Sequence, residues 1–163
     1  MIEDRLKEHE KNRDCNWQRL IFVLRKHLDI WTHQNIKPYW GGDIKISHMP
    51  VIFNISMNGS TSIDIARKSL TAKQSISRTI KELQEKGFVV PKPMKNDKRS
   101  ELLELTTEGK EFVLQASDAA SKLQENYKQL VGAEKLAIAE EVINKIIAYH
   151  EQLEEGSGDY HLE

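Results

Sequence analysis

The stretch TAKQSISRTIKELQEKGFVVPKPMKNDKRSELLELTTEG (residues 71–109) decides the fold of this 163-residue chain. It contains a helical pattern that stops at Gly87, and then two short apolar runs, residues 88–90 and 102–105. Apolar runs of this length, separated by turn-forming residues, are typical of the two strands of a β-hairpin. The stretch therefore predicts a helix followed by a hairpin with a charged tip.

The helix predicted from Ala72 to Lys86 has two different faces. At about 100° per residue, Ile76, Ile80 and Leu83 share one side, which we expect to be buried. The other side carries an amide, hydroxyls and cations: Lys73, Gln74, Ser75, Ser77, Arg78 and Lys81. Arginine can bridge two acceptors on guanine, glutamine can pair with adenine, and serine or lysine can hold phosphates. A DNA major groove suits this face, although an ordinary solvated surface is the alternative.

Two shorter helical patterns precede this helix. Ser47 to Gly59 predicts a helix that Ser47 caps, and residues 60–70 predict a short helix capped by Ser60 or Thr61. In the short helix, Ile63, Ala66 and Leu70 are expected to face inward. A short helix, a tight turn and a second helix make a helix-turn-helix, and a hairpin after them makes a wing.

The flanking segments predict helices that pack against other helices. The apolar spacing from Trp17 to Trp31 is helical and leaves more than one apolar face, which calls for two neighbours. Further helices are predicted from Thr106 to Leu130 and on to Leu153. We expect a mostly α fold: an N-terminal dimerisation helix and loop (1–46), a winged helix-turn-helix lobe (47–107), C-terminal dimerisation helices (108–155) and a tail (156–163).

Charge is distributed unevenly along the chain. Residues 60–100 hold 10 basic and 4 acidic side chains, whereas residues 111–163 hold 4 and 11. A basic window of this kind favours a polyanionic partner. At the hairpin tip, Lys95, Lys98 and Arg99 are predicted to reach the DNA backbone or minor groove, where negative potential favours arginine. Asp97 is predicted to orient Arg99.

Other functional classes find little support. The chain has no apolar run long enough to span a membrane and no secretory signal, so we expect a cytoplasmic protein. The single cysteine, Cys15, excludes an internal disulfide. A redox-sensing thiol is the alternative role, and we interpret Cys15 as a bystander thiol. The histidines, including His48, lack metal-ligand spacing and are expected at the surface or at helix caps. We find no catalytic constellation, and we predict no enzyme activity, no cofactor and no metal.

Residues 47–110 resemble the MarR family of winged helix-turn-helix transcriptional regulators. The resemblance rests on four features: Ser-Arg-Thr at 77–79, Leu-x-x-Lys-Gly-Phe-Val at 83–89, Asp-Lys-Arg at 97–99 and Leu-Thr-x-x-Gly at 105–109. It implies that Ser75, Ser77 and Arg78 face the groove, that Arg99 is the wing arginine, and that the flanking helices form a homodimer. Pro91 and Pro93 depart from the commoner pattern, so the first wing strand must be short or at an edge.

The resemblance also implies a function and a ligand site. A homodimer would bind a pseudo-palindromic operator in double-stranded DNA, with repression favoured over activation. A winged-helix module for protein contacts is the alternative. Family members often bind small aromatic or anionic effectors, for which the candidate pocket residues are Trp31, His33, Tyr39, Trp40 and Phe53. Core or interface packing is the other explanation for these side chains.

Overall fold

The computed structural model describes residues 1–13, 16–36, 43–69, 73–93 and 101–157. The chain divides into two compact units, Met1–Ile46 and Ser47–Glu163. The first unit contains α1 (Ile2–Asn12) and α2 (Trp17–Asn35), and a short 3-10 turn (Ile46–His48) leads into the second. The second contains α3 (Met49–Ile52), α4 (Ser62–Ser69), α5 (Lys73–Glu85), β1 (Val89–Pro93), β2 (Glu101–Leu105), α6 (Thr107–Val131) and α7 (Ala133–Ser157). The predicted fold class, mostly helical with one antiparallel hairpin, is confirmed.

The helix α2 of the first unit follows the apolar pattern that predicted it. It is capped by Asn16, whose side-chain oxygen accepts a hydrogen bond from the Arg19 N–H at 3.2 Å. None of its residues is buried. Its exposed large apolar side chains are Trp17, Leu20, Ile21, Phe22, Leu24 and Ile30.

Two predictions for the helices before α5 are wrong. The helix that was predicted from Ser47 to Gly59 is a single turn, α3, because the chain turns away after Phe53 and the Asn54 side chain hydrogen bonds back to the Pro50 carbonyl (2.7 Å). In α4, Ile63 points into solvent with 62 % of its surface exposed, and Ile65 is fully buried instead. Ala66 is half-buried, and Leu70 lies outside the described residues.

The core of the second unit is formed by side chains from α3, α4, α5, both strands and α6. Ile52, Ile65, Ile76 and Leu83 are buried almost completely, and Phe112 of α6 lies among the largest buried side chains. The Phe112 ring centroid lies 6.1 Å from those of both Phe53 and Phe88. The first turns of α6 therefore belong to the core of the lobe.

The wing strands pair in antiparallel register, with Val89 opposite Leu105 and Pro91 opposite Leu103. On its other side Leu103 pairs with Ser60, so β2 is central and β1 lies at the edge. Leu103 exchanges its backbone hydrogen bonds with Ser60, hence the Pro91 nitrogen opposite it points to the outer edge. Pro93 lies two residues further along β1, so its nitrogen also points to the outer edge. The prolines thus remove no bond from the β1–β2 ladder, which explains how a two-proline strand can form here.

The Leu-Thr-x-x-Gly stretch that follows β2 joins the wing to α6. Thr106 caps α6: its hydroxyl accepts a hydrogen bond from the Gly109 N–H (3.1 Å) and donates one to the Gly87 carbonyl (2.7 Å). At Gly109, a Cβ atom would lie 2.2 Å from the Phe88 carbonyl oxygen. Only glycine fits this close approach of α6 to the backbone of Phe88, which directly precedes β1.

Candidate nucleic-acid interface

The helix α5 presents the two faces that its sequence predicts. Ile76, Ile80 and Leu83 are 1 %, 7 % and 0 % exposed and attach the helix to the lobe core. The residues Gln74, Ser75, Ser77, Arg78 and Lys81 are all exposed. The lobe therefore holds this polar and cationic face in solvent on a rigid element.

The cations of this face pair with carboxylates one turn further along α5. Arg78 Nε–H donates to Glu82 Oε1 at 3.2 Å, and Lys81 Nζ lies 4.0 Å from Glu85 Oε1. Exposed i, i+4 pairs of this kind contribute only about 0.3–0.5 kcal/mol to stability. They set side-chain direction more than they hold the fold together.

Glu82 has a second partner in the protein interior. Its Oε2 lies 3.1 Å from Nε2 of His48, and His48 is 0 % exposed. From the sequence, His48 is expected at the surface or as a helix cap. The structure corrects this: His48 occupies the N-cap position of α3, makes no side-chain cap, and turns its ring inward. Nothing local in the sequence could have revealed this contact, because 34 positions separate the partners.

The N-terminus of the shorter helix α4 is stabilised by a cap. Thr61 Oγ1 accepts the Asp64 N–H (3.1 Å) and donates to the Asp64 carboxylate (2.7 Å), and Arg67 pairs with the same carboxylate. The pKa of Asp64 lies below its ordinary value, chiefly because of the Thr61 hydroxyl and also because of Arg67. Thr61, one of two predicted caps, is thus the cap, whereas Ser60 belongs to the sheet.

Near the end of β1 that leads to the wing tip, the Lys92 side chain reaches across to β2. Its Nζ lies 2.8 Å from Glu104 Oε1. The predicted tip residues Lys95, Asp97, Lys98 and Arg99 lie outside the described residues. So do Cys15 and the pocket candidates Tyr39 and Trp40, and so does the side chain of Lys73.

A groove of about 540 Å³ lies within the first unit. Its walls are Phe22, Arg25, Lys26, Asp29, Ile30, His33, Gln34 and Ile46. Of the predicted pocket residues, His33 lines this groove and Trp31 is half-buried on α2. Phe53 lies in the other unit and packs on Phe112. The structure therefore distributes the predicted pocket residues over the two units.

Part of the chain is similar to a known protein family. The family model described as "MarR family" matches residues 43–100, the segment from the entry of the 3-10 turn to the wing. Over residues 43–100 the chain is thus similar in sequence to the MarR family. The matched segment contains α5 and its exposed polar face. No curated protein matches the chain.

Solved structures of MarR-type proteins share the fold over most of the chain. A mutant of MarR from E. coli complexed with operator DNA is 23 % identical, with TM-score 0.70 over 83 % of this chain and 96 % of that one. FabT from Streptococcus pneumoniae in complex with DNA is 15 % identical, with TM-score 0.74 over 85 % and 100 %. PcaV from Streptomyces coelicolor, in complex with its natural ligand, is 13 % identical, with TM-score 0.68 over 82 % and 92 %.

Two further observations concern membrane spans and metal sites. None of the described helices is long and apolar enough to cross a lipid bilayer. Within the described ranges, no group of three His, Cys, Asp or Glu side chains is arranged to hold a metal ion.

Proposed function

We propose that this chain is a homodimeric, sequence-specific, DNA-binding transcriptional regulator of MarR type. The observation that carries the proposal is the exposed face of α5, where Gln74, Ser77, Arg78 and Lys81 stand opposite a fully buried apolar face. On a helix-turn-helix, the second helix enters the major groove and such side chains reach base edges and phosphates. Repression by blocking a promoter is the regulatory sign that we favour.

Two further observations support a duplex DNA partner. Basic charge is concentrated between residues 60 and 100, which span α4, α5 and the wing. MarR from E. coli and FabT, which share the fold, have been solved on DNA. The role we assign is that of a non-enzymatic cytoplasmic protein.

Homodimerisation is supported by apolar surface that the single chain leaves uncovered. On α7 the exposed side chains include Ile138, Val142, Ile143, Ile147, Tyr149 and Leu153. A second set lies on α2 of the other unit. Exposed apolar patches rimmed by polar residues mark interfaces between proteins. We assign residues 1–46 and 108–155 to the dimer, which would set two α5 helices about 34–36 Å apart on a pseudo-palindromic operator.

An effector site is proposed at the groove of the first unit. Phe22, Ile30 and Ile46 supply apolar walls, and Arg25, Lys26 and His33 supply basic groups. This combination suits a small aromatic anion. PcaV, which has the same fold, has been solved with its natural ligand. Binding would act by favouring one spacing of the two lobes over another.

A salt titration against a mixed-sequence DNA duplex tests the proposed function. We expect affinity to fall steeply with salt, because lysine and arginine release counterions from phosphates. The double variant Arg78→Ala/Lys81→Ala should bind more weakly with a shallower slope, whereas Lys135→Ala, exposed on α7, should match the wild type. Absence of binding at about 50 mM salt, or binding insensitive to salt, would contradict the proposal and favour a protein-interaction module.

A further inference from the structure

We propose that Glu82, anchored by the buried His48, is a positioning residue that directs the Arg78 guanidinium toward base edges. The inference rests on the proposed DNA-binding function and adds to it the device that sets specificity. Glu82 would not touch DNA itself. It would act through Arg78, the cation of the exposed α5 face.

The anchor is a contact between the lobe interior and the side of α5. His48 is completely buried, and its Nε2 lies 3.1 Å from Glu82 Oε2. When the Glu82 carboxylate is ionised it can only accept a hydrogen bond, and the tautomer that fits this contact has the hydrogen on Nε2. The Glu82 side chain is 26 % exposed, and its two oxygens have different partners: Oε2 contacts the buried imidazole and Oε1 contacts the exposed Arg78. A donor fixed by the core thus holds the carboxylate in one orientation.

The outer oxygen of Glu82 then holds Arg78. The arginine side chain is 85 % exposed, and a side chain this long and free samples many rotamers. Its Nε–H donates to Glu82 Oε1 at 3.2 Å. Within the part of the chain that the structure describes, its two terminal amino groups make no hydrogen bond. Those two groups form the fork that can bridge O6 and N7 of guanine. The contact with Glu82 uses Nε and therefore leaves both groups of the fork available for a base.

The second ion pair on the same helix provides a contrast. Lys81 Nζ and Glu85 Oε1 are 4.0 Å apart, and both side chains are largely exposed, at 78 % and 65 %. Lysine is a point charge without a planar fork, and among the residues that the structure describes no buried donor contacts Glu85. Glu85 therefore supplies a matched control: a carboxylate on the same helix with the same charge, but without the anchored contact to arginine.

The role predicts effects of opposite sign. A carboxylate beside a polyanion lowers affinity, so its removal should raise affinity for any duplex. Losing the tether should at the same time lower base discrimination, because the Arg78 fork is no longer held in one direction. If Glu82 merely supported the fold, its removal would instead lower both the affinity for DNA and the base discrimination.

The experiment measures discrimination at single base positions. A duplex is selected from a random pool with wild-type protein, and each base pair is then substituted in turn. Positions where Arg78→Ala loses its preference are those that Arg78 reads. At these positions we expect Glu82→Ala to lose about fivefold or more in discrimination, the lower range for one good base contact. Affinity for a mixed-sequence duplex should rise. Glu85→Ala should also bind the mixed duplex more tightly but keep the preference.

Further variants separate positioning from folding. Glu82→Gln keeps the shape but has only one acceptor oxygen for two donors, so an intermediate loss is expected. His48→Met removes the anchoring donor and should reproduce part of the loss, whereas His48→Gln retains an N–H and should preserve discrimination. Thermal unfolding of each variant checks that the lobe is intact.

The outcomes distinguish this inference from the function on which it rests. Failure of the wild type to bind any duplex overturns the proposed function, and the inference with it. If the wild type discriminates and Glu82→Ala keeps the preference at the positions read by Arg78, only the inference is overturned. An equal loss at all positions, or an Arg78→Ala variant with unchanged preferences, overturns it as well.

Discussion

Ser60 and Leu103 exchange both of their backbone hydrogen bonds, at 3.0 Å from Ser60 N–H to Leu103 O and 2.9 Å in the reverse direction. Ser60, which directly precedes the cap residue of α4, is therefore hydrogen bonded to the middle of β2. Because the same residue leads into the helix-turn-helix, α4 and the wing cannot move independently. The relative placement of α5 and the wing follows from this link and from the Thr106–Gly87 contact.

The Ser60 side chain should be important for stability. Its hydroxyl accepts from the Ser56 N–H (3.0 Å) and donates to the Asn54 carbonyl (3.2 Å) at a site that is 6 % exposed. Ser60→Ala leaves these groups without this partner, and we expect a loss of about 1–3 kcal/mol in the free energy of unfolding. Chemical denaturation measures it. Met57→Ala, at a side chain 87 % exposed in the same loop, is the control and should change stability by less than about 0.5 kcal/mol.

Gly109→Ala should loosen the attachment of α6 to the wing. The added Cβ would meet the Phe88 carbonyl oxygen at 2.2 Å, so the helix start must shift. Overpacking of this kind costs about 1–3 kcal/mol, which thermal unfolding can detect. Lys110→Ala, exposed on the same turn, should unfold like the wild type. Equal melting temperatures for all three proteins would contradict the close approach.

Asp64 should contribute to stability with a defined pH dependence. Its folded pKa is lowered from 3.8, first by the Thr61 hydroxyl, so the charged carboxylate is favoured in the folded state. The contribution is therefore complete above the unfolded pKa and is lost as the pH falls through the lowered folded pKa. We expect Asp64→Asn to be less stable than the wild type near pH 7, and the difference to shrink below pH 3.8.

The Thr61→Ala background tests the cause of this pH dependence. With the hydroxyl removed, Asp64→Asn should have a smaller effect at pH 7, measured by urea unfolding in a double-mutant cycle. Additive effects of the two substitutions would show that the hydroxyl is not responsible for the shift.

Lys81 should contribute to affinity without contributing to base choice. Its ammonium is exposed on α5 and suits a phosphate contact. We expect Lys81→Ala to weaken binding about equally on all duplexes and to reduce the slope of log affinity against log salt by about 0.9. Fluorescence anisotropy at several salt concentrations measures both quantities. A change confined to one base position would assign Lys81 to base readout instead.

A charge on the apolar side of α7 should separate the proposed dimer. Val142 is 42 % exposed in the single chain and belongs to the apolar set of this helix. Val142→Glu would bury an unpaired carboxylate in a dimer, so we expect monomers in analytical ultracentrifugation at micromolar concentration. Asn144→Glu adds the same charge to a polar position of α7 and should remain dimeric. A wild type that is already monomeric would refute the dimer.

The sequence predicts what short-range periodicity can determine. The faces of α5 were predicted correctly because Ile76, Ile80 and Leu83 repeat at helical spacing and no apolar residue competes on the other side. In α4, by contrast, Ile63 and Ile65 lie about 200° apart around the helix, so both cannot face the core. Local spacing favoured Ile63 together with Ala66, and the packing of the lobe selected Ile65.

Contacts between distant parts of the chain lie beyond such reasoning. The pairing of Ser60 with Leu103 and of His48 with Glu82 depends on how the lobe closes, and neither has a local pattern. Gly109 was recognised through the resemblance of its motif, but the reason for a glycine there is a steric one that only the Phe88 carbonyl reveals.

The placement of Pro91 and Pro93 on the outer rim of β1 has a consequence for solubility. An uncovered strand edge offers a row of amide hydrogens to which a strand of another molecule can add, which is how aggregates begin. Here two successive outward positions lack that hydrogen altogether. The outer edge of β1 thus offers fewer amide hydrogens to a strand of another molecule, which disfavours edge-to-edge association.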